Sequence, residues 1–105
     1  MLLDYIIVNK GFILDIFDKH GASDILIIGS VSRREETEDS DIDFVVDMKT
    51  SYNTLLDLEL TDVQAVSDLV KELQLYFKRN VEVALYSQIG DGYKEAKKIG
   101  YKLGR

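Results

Sequence analysis

Residues 29–46 read GSVSRREETEDSDIDFVV. The stretch opens on Gly29-Ser30, which closes an apolar run from Ile25 to Ile28, and it ends on a second apolar run, Ile42 to Val46. Unbroken apolar runs of this length between turn residues read as strands, the first of them buried on both faces. Alternate residues of a strand point to one side, roughly 6–7 Å apart. Asp41 and Asp43 therefore project together, while Ile42 turns to the other face. Two carboxylates so close repel, and each raises the other's pKa unless a cation lies between them. Oxygen donors of this kind suit Mg²⁺, which keeps waters and takes substrate phosphates as further ligands.

A third acid lies downstream. Glu82 sits in Val81 to Leu85, again an apolar run of strand length. If that strand lies beside 42–46, Glu82 faces the same side as the two aspartates. Three carboxylates around two metal ions about 3.5–4 Å apart form the clamp of in-line phosphoryl and nucleotidyl transfer. Gly29 and Ser30 complement such a site. A strand that ends in glycine and runs into a helical turn aims backbone N–H groups at an anion, and glycine lets a phosphate approach the main chain. The Ser30 hydroxyl adds a donor, and Arg33, one turn on, reaches phosphate oxygens with a planar fork. Taken singly, each feature has a plainer reading. Gly-Ser is an ordinary turn, EETEDSDID a solvated acidic face, and Arg33 and Arg34 ion-pair partners of Glu35 and Glu36. The order and spacing of all of them together favour a site.

The 105 residues suit one domain, 1–105, with one core. The formal net charge of −6 disfavours direct nucleic-acid binding. The chain has no cysteine, hence neither disulfide nor thiolate zinc site. No apolar run approaches the ~20 residues of a membrane helix, and MLLDYIIVNKGF lacks the basic start of a signal peptide. A soluble, cytoplasmic protein with no membrane contact is expected.

Around the central stretch, residues 2–19 carry apolar residues at helical spacing, with Gly11 a candidate break. Lys19, His20 and Gly21 read as a helix end, where His20 serves a structural purpose. Residues 48–60 are ambiguous. Thr61 to Gln64 matches a capping box with Thr61 as N-cap. The helix it opens runs to about Lys78 with Val63, Val66, Leu69, Val70, Leu73 and Phe77 inward. Asp91-Gly92 opens a last amphipathic helix, Tyr93 to Leu103, whose lysines 94, 97, 98 and 102 form a basic strip: a solvated face, or a contact for an acidic partner or a triphosphate. Tyr86, Tyr93 and Tyr101 are candidates to stack on a base. The order helix, strand, strand, helix, strand, helix implies a small α+β (α/β) domain, a mixed sheet of three or four strands with helices packed on one face.

The stretch 29–46 resembles the signature of the DNA-polymerase-β-like nucleotidyltransferases, and most of all the minimal nucleotidyltransferase (MNT) family, with its approximate pattern GSxARGxAxxxSDxDLxV. Gly29, Ser30, Arg33, Ser40, Asp41 and Asp43 fall on matching positions, and VEVALYS (81–87) is similar to the family's third-acid strand. Arg34 stands where the family has glycine, and Glu82 where it has aspartate. The resemblance covers nearly the whole chain. It implies a nucleotidyltransferase-like fold, two Mg²⁺ ions held by Asp41, Asp43 and Glu82, and a nucleoside triphosphate, ATP, with its phosphates on Gly29, Ser30 and Arg33. It also implies AMP transfer to a hydroxyl, a tyrosine of a HEPN-family toxin, in an antitoxin role. The alternative is an impaired module that neutralises its partner by binding alone. A third reading, transfer to a small molecule, requires an extra wall that a homo-oligomer could supply.

Overall fold

The computed structural model describes residues 1–48, 55–90 and 92–104. In chain order the elements are α1 (Leu2–Val8), α2 (Lys10–Lys19), β1 (Ala22–Ile28), α3 (Gly29–Ser32) and β2 (Ile42–Met48). They continue as α4 (Leu55–Phe77), β3 (Val81–Leu85), α5 (Tyr86–Ile89), α6 (Gly92–Ile99) and β4 (Tyr101–Leu103). The four strands form one mixed sheet in the order β3-β2-β1-β4, with β2 and β3 parallel and the other pairs antiparallel. This is the expected α+β fold.

The apolar runs explain the layering. β1 buries Ile25, Leu26 and Ile27 in succession and β2 buries Phe44, Val45 and Val46, so both strands are covered on both faces. Ile25, Ile27, Ile42, Phe44 and Val46 meet α1, α2 and α4 through Leu3, Ile6, Ile13, Phe17, Leu69 and Leu73. Phe17 and Phe44 pack edge to face at 5.1 Å. The opposite face is thinner. There Leu26 and Val45 pack on Ala96 of α6, with Ile28, Tyr86 and Ile89 at the margin. The main layer of helices thus lies on one face as expected, and α5 and α6 add a partial cover on the other.

Several local expectations are corrected. The N-terminal helix breaks at Asn9 and not at Gly11. The Asn9 side-chain amide donates to the Tyr5 carbonyl at 2.9 Å, a local competitor for a helical acceptor. α4 begins at Leu55, so Thr61 lies inside the helix and not at its N-cap position. The residues before it, LLDLEL, are largely strong helix formers that extend the helix backwards. Val63 is 67% exposed rather than inward, whereas Leu69 and Leu73 are buried as expected. The last helix stops at Ile99, and 101–103 pair with β1 as a fourth strand. Gly100 permits that reversal: a Cβ there would stand 2.7 Å from the Ala96 carbonyl oxygen and 2.9 Å from that of Ile27. The residue Asp91 and the side chain of Tyr93 lie outside the described residues.

His20 is structural. It closes α2, and its Nε2 lies 2.9 Å from Glu72 Oε1 of α4. Lys19 Nζ donates to Glu72 Oε2 at 2.7 Å, and the two partners, Lys19 first, hold the Glu72 carboxyl below its ordinary pKa. Among the described residues no helix is long and apolar enough to cross a membrane.

Candidate active site

The sheet register brings the acids together. Ile28, the last residue of β1, lies opposite Asp43 of β2, and Asp43 lies beside Glu82 of β3. Both acids are the second residue of their strand, so parallel pairing from Ile42 and Val81 puts them side by side. Phe44 and Ile42 point into the main core, which turns Asp43 to the thinner face by strand alternation. There Ile28, Asp43, Phe44, Glu82, Val83 and Ala84 line a cavity of about 530 Å³.

The electrostatics of this row are unfavourable without a cation. Partial burial pushes the Asp43 carboxyl from its ordinary 3.8 up to about 6, aided by the charge of Glu82, a hydrogen bond between the two carboxyls, and the charge of Asp41. Asp41 precedes β2 and is half-buried. Among the described residues no three acidic, histidine or cysteine side chains stand gathered as a ready metal cluster. The donor chemistry nonetheless fits a divalent ion. Like-charged carboxyl oxygens driven into sharing a proton are what a hard cation would separate and neutralise.

Gly29 is fitted to Asp43. Its φ is +73°, in the left-handed region, and a Cβ there would stand 2.8 Å from Asp43 Oδ2. Ser30 follows in the first turn of α3, and its carbonyl accepts from the Arg33 and Glu35 amides at 3.2 and 2.9 Å. Arg33 is not committed to this row. It is exposed, and its Nε donates to Glu35 Oε2 at 3.1 Å. Arg34 adopts φ +57°. That conformation accounts for a glycine in the family pattern at this position, and a non-glycine residue bears roughly 1–2 kcal/mol of steric cost there. Its Nη2 donates to Asp4 Oδ1 at 3.1 Å, which ties the loop to α1 and holds the Asp4 carboxyl below its ordinary pKa.

Two residues of the loop's surroundings escape a reading of sequence. Arg79 Nη1 donates to the carbonyls of Thr37 and Ser40 at 3.3 and 3.1 Å, and the Ile42 amide donates to the Asn80 carbonyl at 3.0 Å. The end of α4 thereby sets the height at which the chain enters β2. No spacing in the sequence signals this, since 39 positions separate Ser40 from Arg79. Glu36 is the other. Both of its carboxyl oxygens are out of solvent, with no hydrogen-bond partner among the described residues. In the family pattern this position is alanine. An unsatisfied buried polar group costs about 1–3 kcal/mol. Glu36→Ala is therefore expected to stabilise the fold by about that much, read as a higher urea midpoint at unchanged slope. A lower midpoint would mean that the carboxylate has a partner in solution.

Of the aromatic candidates, Tyr86 is engaged elsewhere. The Tyr86 hydroxyl donates to the Asp24 carbonyl at 2.7 Å, and Lys97 Nζ lies 5.6 Å from the Tyr86 ring centroid. Asp24, at φ +52°, sits in the bulge of β1 that Tyr86 pins. Tyr101 lies on edge strand β4.

Comparison with known proteins agrees with the fold. Residues 12–103 match the family model of the nucleotidyltransferase domain. No curated protein matches the chain. Among solved structures, one described as a minimal nucleotidyltransferase superposes with a TM-score of 0.72 at 23% identity, covering 94% of this chain and 93% of that one. A toxin–antitoxin structure with AMP-PNP gives a TM-score of 0.68 at 17% identity, over 91% of this chain and 73% of the other. A mutant of the toxin–antitoxin pair MntA-HpeT gives 0.65 at 15% identity, over 91% and 72%.

Proposed function

The chain belongs to the nucleotidyltransferase domain family, and on that premise we propose that it transfers AMP from ATP to a protein hydroxyl, a tyrosine of a HEPN-type toxin, as the antitoxin of a toxin–antitoxin pair. The observation that carries the reading is the row Ile28–Asp43–Glu82, with Gly29 closed against Asp43. The toxin–antitoxin neighbours, one with a bound ATP analogue, support the partner and the nucleotide.

Nucleotidyltransferase domains typically use divalent metal. Here Asp41, Asp43 and Glu82 would hold two Mg²⁺, which when bound neutralise charge that develops on the α-phosphate and on the leaving group. Gly29 and Ser30 offer main-chain N–H groups and one hydroxyl to the triphosphate. Arg33 reaches it by giving up Glu35, an exposed pair worth at most about 1 kcal/mol. The acceptor hydroxyl oxygen forms a bond to the α-phosphorus, the bond to the β-phosphate oxygen breaks, and pyrophosphate leaves. Glu82 orients the hydroxyl and takes its proton. Ile28 and Ala84 give the cavity an apolar side beside that proton transfer.

The test is incubation with α-labelled ATP, Mg²⁺ and the product of the neighbouring gene. Label on the partner, lost in Asp41→Asn and Asp43→Asn, is the expected result. Neutralisation of the partner by wild type and variants alike, without label, would replace transfer by binding alone.

A further inference from the structure

Of the three acids proposed for the site, the sheet holds two. Asp43 and Glu82 are set by strand register, whereas β2 begins at Ile42 and Asp41 has no partner in either of its ladders. Asp41 is half-buried, and its charge reaches Asp43. Its direction has to come from elsewhere. Peptide units are planar, so the backbone angles of a residue are fixed once the units on its two sides are fixed. The Ser40 carbonyl belongs to the unit before Asp41 and accepts from Arg79 Nη1 at 3.1 Å. The Ile42 amide belongs to the unit after it and donates to the Asn80 carbonyl at 3.0 Å. Two consecutive residues beyond α4 thus hold both sides of Asp41, and the chain runs from them through Val81 to Glu82.

The turn ahead of Asp41 transmits this hold. The Ser40 amide donates to the Thr37 carbonyl at 3.2 Å, and the Thr37 amide donates to Ser40 Oγ at 2.8 Å. Arg79 Nη1 spans the turn by donating to the Thr37 carbonyl as well, at 3.3 Å. Lys78, at φ +56°, turns the chain out of α4 just before Arg79. Arg79 is half-buried, and among the described residues it forms no ion pair, although the chain has 19 acidic residues to offer one. Its charge is directed at two main-chain carbonyls, and a charged donor makes the stronger kind of hydrogen bond.

We infer that Arg79 is a positioning residue for Asp41: it fixes the peptide unit from which Asp41 departs, and so couples the acid ahead of β2 to the strand that carries Glu82. The inference deepens the proposed transferase function and rests on it for the metal that Asp41 would hold. Arg79 acts through Asp41 and not on the reacting atoms. Lysine at this position offers a point charge in place of a planar fork and would keep part of the hold.

The probe is Mn²⁺ alone, standing in for Mg²⁺, with the free ion counted by electron paramagnetic resonance. Asp41→Asn and Arg79→Ala are each expected to weaken its binding on the order of tenfold, the scale of losing a ligand's orienting partner. The double variant is expected to bind no more weakly than Asp41→Asn, because residues that act through one another do not add. Arg79→Lys is expected to recover part of the affinity. A purely structural role gives additive losses instead. Amide exchange is the second readout: Ser40 and Ile42 should exchange faster in Arg79→Ala, with Leu26 and Val45 as protected as in wild type. Should Arg79→Ala fail to fold, Arg79→Lys, alone and with Asp41→Asn, carries both readouts. Additive losses, Mn²⁺ binding untouched by Asp41→Asn, or unchanged exchange at Ser40 and Ile42 overturns the inference. Transfer of label separates the two readings. Absent from wild type while the losses stay non-additive, it leaves the positioning and removes the transferase. Lost in Asp41→Asn yet complete in Arg79→Ala, it removes the positioning alone.

Discussion

Asp43→Asn is expected to lower AMP transfer by ~10³-fold or more, the scale of removing a charge-stabilising group from a reacting centre, while leaving the protein folded. The same substitution has a signature in stability that needs no substrate. Asp43 titrates near 6 in the fold against an ordinary value of 3.8. A carboxyl raised on folding contributes stability in its protonated form. That contribution is full below pH 4 and is lost as pH climbs through about 6. Wild type should therefore lose urea resistance between pH 4 and pH 7, and Asp43→Asn should not. Mg²⁺ at pH 7 is expected to restore wild type and to leave the variant unchanged. A pH profile identical in the two proteins would remove the like-charge row from the account.

Gly29→Ala is expected to destabilise by about 2–5 kcal/mol, combining the left-handed backbone with a methyl forced against Asp43 Oδ2. Transfer should fall with it, since the Asp43 carboxyl must shift to make room for the methyl. Gly11→Ala is the internal contrast. Gly11 is helical, and nothing stands within 4 Å of a Cβ there. That change should stabilise by ~1 kcal/mol. A pair of midpoints that moved in the same direction would show that φ and contact at Gly29 are not what the structure gives.

The row of acids is legible in the sequence because it depends on local pattern. IDFVV and VEVAL both place an acid second in an apolar strand, so parallel pairing in register aligns Asp43 with Glu82. β4 was not legible. Tyr101, Lys102 and Leu103 continue the helical period of α6, and the stop at Gly100 depends on the Ile27 carbonyl, which only the folded sheet supplies. α4 starts at Leu55 and not after Thr61 because a capping pattern is a weak signal against good helix formers before it. Glu36 and Arg79 had no local signal, since what matters about each is what lies across the fold from it.

The grip of Arg79 on the loop has a consequence for how this chain can change. It holds the carbonyls of Thr37 and Ser40, atoms that every amino acid possesses. The exposed tip at Glu38 and Asp39 can thus accumulate substitutions, or carry a dye introduced through a cysteine in this thiol-free protein, without displacing the entry into β2. Reporter chemistry there would watch the row of acids at close range while leaving its alignment intact.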